Sequence, residues 1–166
     1  LDYMERAYDD NKYGNFSQHP FMDAIFPSMI DPDMAPPGKH VMSCFVQYAP
    51  YHLAEGTWEE KREAFGDAVV NTLAEYMPNI KDLILHRQAL SPWDMEQMVG
   101  LSQGNIFQGE LSLSQLFFLR PMPGLAQYRT PIKSYYQCGS GTHPGGGICG
   151  APGRLSALEI LKDLKR

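Results

Sequence analysis

Between residues 139 and 153 the chain reads Gly139-Ser140-Gly141-Thr142-His143-Pro144-Gly145-Gly146-Gly147-Ile148-Cys149-Gly150-Ala151-Pro152-Gly153, with seven glycines. Just before it, Ile132 to Cys138 has the β-branched and aromatic content of a strand. Just after it, Leu155, Leu158 and Leu161 recur at helical spacing through Arg154–Leu164, and Lys162, Lys165 and Arg166 suit the negative end of the helix dipole. The expected order is therefore strand, glycine loop, helix. Glycine has no Cβ, so such a loop lets backbone approach a bulky planar or phosphate-bearing ligand, and the helix start beyond it offers unpaired amides with partial positive charge. Pro152 suits the beginning of that helix, where its missing N–H is no loss.

Three sharper readings of this region lack the context they require. Gly145-Gly146-Gly147-Ile148-Cys149-Gly150 satisfies G-x-G-x-x-G, but it starts seven residues after the expected strand and leaves no room for a second strand bearing the acidic residue of a dinucleotide site. Gly100-Leu101-Ser102-Gln103-Gly104 satisfies G-x-S-x-G, with Glu110 and His143 following in hydrolase order, yet a short helix precedes it instead of a strand. Cys138, His143 and Cys149 lack the paired spacing of a zinc site, so no metal is expected.

Working outward, residues 1–23 predict one short helix giving way to loop at Gly14. The apolar run Ala24–Ile30, interrupted by Pro27, reads as an edge strand, and Val41 to Tyr48 as a better one. Thr57-Trp58-Glu59-Glu60 is a capping box that opens a helix with Trp58, Phe65, Val69, Leu73 and Tyr76 on one face and Pro78 as its stop. Leu83-Ile84-Leu85 is a third strand candidate, and Ser91-Pro92-Trp93-Asp94 starts a short helix that stops at Gly100. From there to Ile132 no periodicity holds, which predicts a functional loop or lid whose Phe107, Leu116, Phe117, Phe118, Leu119 and Tyr128 line a cavity or simply pack. The expected fold class is α+β: a mixed or antiparallel sheet from residues 24 to 90, covered by the helix at 57–77, with the strand, glycine-rich loop and helix appended.

Composition narrows the partners. The 166 residues suit about one domain, and 14 basic against 19 acidic residues give a net charge of −5, so clustered cations for a phosphate backbone are lacking and nucleic acid is not expected. Three cysteines make no disulfide framework and no apolar stretch reaches membrane length, which predicts a soluble, cytoplasmic protein without a transmembrane segment. The chain opens at Leu1 inside a helix-like run and reads as cut from something longer.

From Tyr136 to Arg154 the sequence resembles the C-terminal FAD-contacting motif of the phytoene-desaturase-like flavoprotein oxidoreductases. Further stretches resemble the same family: Pro27-Ser28 with Asp31-Pro32, Ala35-Pro36 with Gly38-Lys39-His40, Gln47-Tyr48-Ala49-Pro50-Tyr51, Ser91-Pro92-Trp93-Asp94 and Arg120-Pro121. The resemblance implies part of an enzyme that uses FAD to remove or relocate hydrogens on a hydrophobic small-molecule substrate. It implies that residues 1–131 belong to a substrate-binding domain, that residues 132–166 return to the flavin, and that the N-terminal Rossmann half is a missing partner. The cofactor-binding residues it implies are Gly139, Ser140, Gly141, Thr142, His143, Pro144, Gly145, Gly146, Gly147, Ile148, Gly150, Ala151 and Pro152. Ser140 and Cys149 depart from the small or apolar residues usual in the family. No residue offers itself as a general acid or base; His143 is the one titrating group of the motif. Alone, these residues should hold FAD weakly or not at all, be inactive, and tend to self-associate. The alternative from another class is a non-catalytic interaction or regulatory domain that keeps the fold without flavin.

Overall fold

The computed structural model describes residues 1–165, so Arg166, expected at the basic end of the last helix, lies outside the described residues. The chain forms two compact units that divide after Asp94.

In the first unit, helix α1 (Asp2–Lys12) carries Asp2 and Glu5 in its first turn and Lys12 in its last, charges that suit the helix dipole. It stops before Gly14, whose φ of +77° favours glycine and whose added Cβ would stand 2.9 Å from the Ala54 amide nitrogen. Ser17 is fully buried beyond it. Its hydroxyl donates to the Ala7 carbonyl and accepts the Tyr48 N–H at 2.9 Å, which ties α1 to the chain leaving the second strand. Strands β1 (Phe21–Ile25) and β2 (Ser43–Gln47) pair antiparallel, with Phe21 opposite Gln47 and Ile25 opposite Ser43.

Helix α2 (Trp58–Tyr76) starts at the expected capping box, where the Thr57 N–H donates to the Glu60 carboxylate at 3.1 Å. Its buried residues include Trp58, Phe65 and Leu73, whereas Tyr76 is 75% exposed and does not share that face. Trp58, Phe65 and Phe16 form an aromatic cluster with ring centroids 5.4–6.1 Å apart, and the Trp58 indole N–H donates to the Pro50 and Tyr51 carbonyls. A one-turn helix α3 (Ile80–Leu83) and helix α4 (Pro92–Val99) follow.

The sheet is smaller than expected. Leu83 closes α3 and Leu85 is 62% exposed, so the third strand does not form; three apolar residues are too few to distinguish strand from helix. Two strands remain, with Asp23, Ala24, Ile25, Ser43 and Phe45 exposed, and the buried face of α2 meets Phe16 in the loop before β1. The fold is mostly helical with a small antiparallel ribbon, α+β at most.

The second unit runs from Met95. Among the described residues, only helix α5 (Ala151–Leu164) is long and regular in its later part, and three single 3₁₀ turns punctuate the 100–131 segment. The strand expected over Ile132–Cys138 is absent. Ser134 adopts φ +62° and the Tyr135 N–H donates to the Ile132 carbonyl at 3.1 Å, so the run folds into a tight turn with one antiparallel bridge between Arg129 and Tyr136. A left-handed residue in the middle of the run breaks the extension that its apolar composition suggested.

Candidate functional site

The glycine loop is organised by an arginine that sequence reasoning did not single out as a site residue. Arg120 is 1% exposed. Its Nε and Nη2 both donate to the Ser140 carbonyl, at 3.0 and 2.7 Å; Nη2 also reaches the Phe107 carbonyl and Nη1 the Gln115 carbonyl. One guanidinium thus joins three segments that share no regular structure. Thr142 adds a local clamp, donating from both its hydroxyl and its amide to the Gly139 carbonyl, while the Gly145 N–H donates to the Thr142 carbonyl at 2.7 Å. At Gly146 an added Cβ would stand 3.1 Å from the Phe107 ring, so the loop lies too close to that side chain for alanine to fit freely.

His143 sits at the bend of this loop. Its carbonyl accepts the hydroxyl of buried Tyr128 at 2.9 Å, and its ring lies 6.3 Å from that of Phe117. The ring nitrogen Nδ1 is buried without a hydrogen-bond partner, a cost that native structures avoid unless something else satisfies the atom. Ile148, Cys149 and Gly150 are exposed, and Gly150 takes φ +65° as the residue that caps α5. The Arg154 N–H is taken by the Gly150 carbonyl at 3.0 Å and Pro152 has none, which leaves the amides of Ala151 and Gly153 at the helix start.

Helix α5 is held by charge. Arg129 pairs with Glu159 at 2.6 Å and with Asp163 at 2.7 Å, and the Tyr136 hydroxyl donates to Asp163 at 2.8 Å. The bond from Lys162 and a second from Arg129 hold the Glu159 carboxyl below its ordinary range, and the bond to Asp163 raises the Tyr136 hydroxyl. Gln127, Tyr128, Arg129, Glu159 and Lys162 line an open groove of about 590 Å³, but its cations are already paired. This network holds the later turns of α5 against the 128–136 turn.

The other motifs stay apart. Ser102 starts a 3₁₀ turn rather than a strand-to-helix elbow, and among the described residues no hydrogen bond joins Ser102, Glu110 and His143. Cys44, Cys138 and Cys149 are free, and no group of three metal-ligating side chains occurs among the described residues. Phe117 and Phe118 are 64% and 75% exposed, whereas Tyr128 is buried. No described helix is long and apolar enough to cross a membrane. The signal for Arg120 was already visible in the Arg120-Pro121 pair, but the sequence alone did not show that an arginine in an irregular segment would be buried.

No family model matches the chain, and no solved structure does. Individual proteins do: the chain is homologous to the phytoene-desaturase-like oxidoreductases. Pyridine nucleotide-disulfide oxidoreductase domain-containing protein 2 of Rattus norvegicus is 46% identical over 164 residues, covering 98% of this chain and 28% of that protein. A lycopene-forming phytoene desaturase of Paracoccus sp. is 32% identical over 144 residues, 83% of this chain and 27% of its own length. The 4,4'-diapolycopen-4-al dehydrogenase of Metabacillus indicus is 31% identical over 168 residues, 87% of this chain and 32% of its own. The chain therefore spans less than a third of the length of these curated relatives.

Proposed function

We propose that this chain is the C-terminal part of a FAD-dependent oxidoreductase of the dehydrogenase or desaturase type, acting on a hydrophobic substrate, in which Gly139–Pro152 contacts the flavin. The observation that carries this reading is Gly153. It stands in the first turn of α5, exposed, without a positive φ, and a Cβ added there would meet nothing within 4 Å. Neither backbone conformation nor packing within the chain calls for glycine, which costs a helix interior about 0.5–1 kcal/mol relative to alanine and a first turn less. An approaching body from outside the chain accounts for that cost.

The residues present fit a flavin. The buried, unpartnered His143 Nδ1, the free amides of Ala151 and Gly153 and the uncompensated Arg120 all favour a polar, electron-accepting group at the loop. FAD, when bound, supplies the two-electron chemistry. Gly139, Gly147 and Gly150, where an added Cβ also meets nothing within 4 Å, keep side chains out of its way. The amides at the start of α5 favour the negative charge that gathers on the cofactor when it is reduced. A helix terminus contributes about 0.3–2 kcal/mol to a nearby anion, which raises the potential of a two-electron couple by about 6–43 mV.

Residues 1–131 form part of the substrate-binding domain in this reading, and the Rossmann half that anchors adenine and pyrophosphate lies elsewhere in the full-length protein. Purifying that protein tests the assignment. A yellow protein, or one that turns yellow with added FAD, supports it. A folded, colourless protein that fails to take up FAD favours a non-catalytic domain instead.

A further inference from the structure

Arginine remains protonated in proteins, so burial cannot neutralise Arg120 as it can a lysine or a carboxylic acid. Among the described residues no carboxylate lies within ion-pair distance of it, and Glu110, the acidic residue closest in the same irregular segment, is exposed. Carbonyl dipoles from Phe107, Gln115 and Ser140 solvate the guanidinium but leave its charge in place. A buried charge without a counterion is costly, and neutral amide donors would cross-link the same carbonyls without that cost. The charge itself therefore has a use.

Its surroundings show where that use lies. A Cβ added at Gly145 would stand 3.8 Å from Arg120 Nε, and one at Gly109 would stand 3.8 Å from Nη1. Glycine backbone is what packs on the guanidinium on those sides, and the Ser140 carbonyl it grips opens the loop. In a poorly screened interior the charge acts through that thin layer.

We propose that Arg120 is a positioning residue for the flavin, presenting the glycine loop through its bonds to Ser140 and Phe107 while its uncompensated charge raises the potential of the bound cofactor. This rests on the assignment of the loop as the flavin contact and goes beyond it, because the residue lies outside the loop. Arg120→Lys and Arg120→Met separate the two roles. Lysine keeps the charge but lacks the planar fork that reaches three carbonyls at once; methionine keeps bulk and loses both.

The experiment titrates FAD into the full-length wild-type protein and both variants, and measures the two-electron potential of the flavin each retains. For Arg120→Lys, affinity should fall about tenfold with the potential close to wild type, tenfold being one step of about 1.4 kcal/mol. For Arg120→Met, affinity should fall further and the potential should drop. A folded Arg120→Met protein with wild-type affinity or wild-type potential overturns the proposal. If Arg120→Met does not fold, Arg120→Lys decides: wild-type affinity, or a potential that falls despite the retained charge, also overturns it. A wild-type protein that binds no FAD removes the flavin assignment itself, a failure seen before any variant is compared.

Discussion

At Gly153 the stability of helix α5 and the proposed site pull in opposite directions. Gly153→Ala should stabilise residues 1–166 in denaturant unfolding, by no more than the helix-interior value of about 0.5–1 kcal/mol, while weakening FAD binding by the full-length protein. A purely structural glycine would show no such opposition. Asp94 offers a separate test in the first unit. Burial pushes its carboxyl up, but the bonds from Arg62 and from the Ser91 hydroxyl and amide outweigh burial, and its pKa lies below the ordinary value. A carboxyl whose folded pKa is depressed stabilises the fold above the unfolded carboxylate range, and that contribution is lost as pH falls through the folded value. Melting curves from neutral pH downward should therefore show an acid-side loss, starting near pH 5. The loss should be shallower in Asp94→Asn, which should also melt lower at neutral pH.

Among the elements, α2 carries the core of the first unit. Phe65→Ala removes the ring that touches both Trp58 and Phe16 and should cost about 3–5 kcal/mol by urea titration. This helix was legible because the capping box, the apolar stripe and Pro78 agree on where it begins and ends. The α5 helix and the second strand were legible for similar reasons, whereas the first was displaced: β1 shares only Ala24 and Ile25 with the run Ala24–Ile30, and Pro27 opens a 3₁₀ turn instead of lying in an edge strand. Leu83-Ile84-Leu85 and Ile132–Cys138 were not legible, because short apolar runs fit a strand or a turn equally well. What distinguishes them is that Leu83 is taken up by the end of the α3 turn in one case and that Ser134 is left-handed in the other, neither of which periodicity reports. The candidate site divides the same way. Its glycine loop stands out in the sequence, whereas Arg120, which holds the loop from a distance of some twenty residues, acquires meaning only once the irregular segment folds around it.

For the molecule as a whole, exposed area is the informative quantity. Ile148, Leu113 and Phe118 are among the large apolar residues left open to solvent. Residues 1–166 should therefore bind a hydrophobic dye and self-associate with rising concentration in light scattering; a monomer that stays dark with the dye would show that this surface needs no cover. The central claim, that the glycine loop touches the flavin, is tested most directly at Gly150, whose left-handed backbone a β-branched residue cannot adopt without strain. FAD titration of the full-length Gly150→Val protein, with the potential of the retained flavin read in the same sample, should show weaker binding and a lower potential. Wild-type affinity at an unchanged potential would contradict the account.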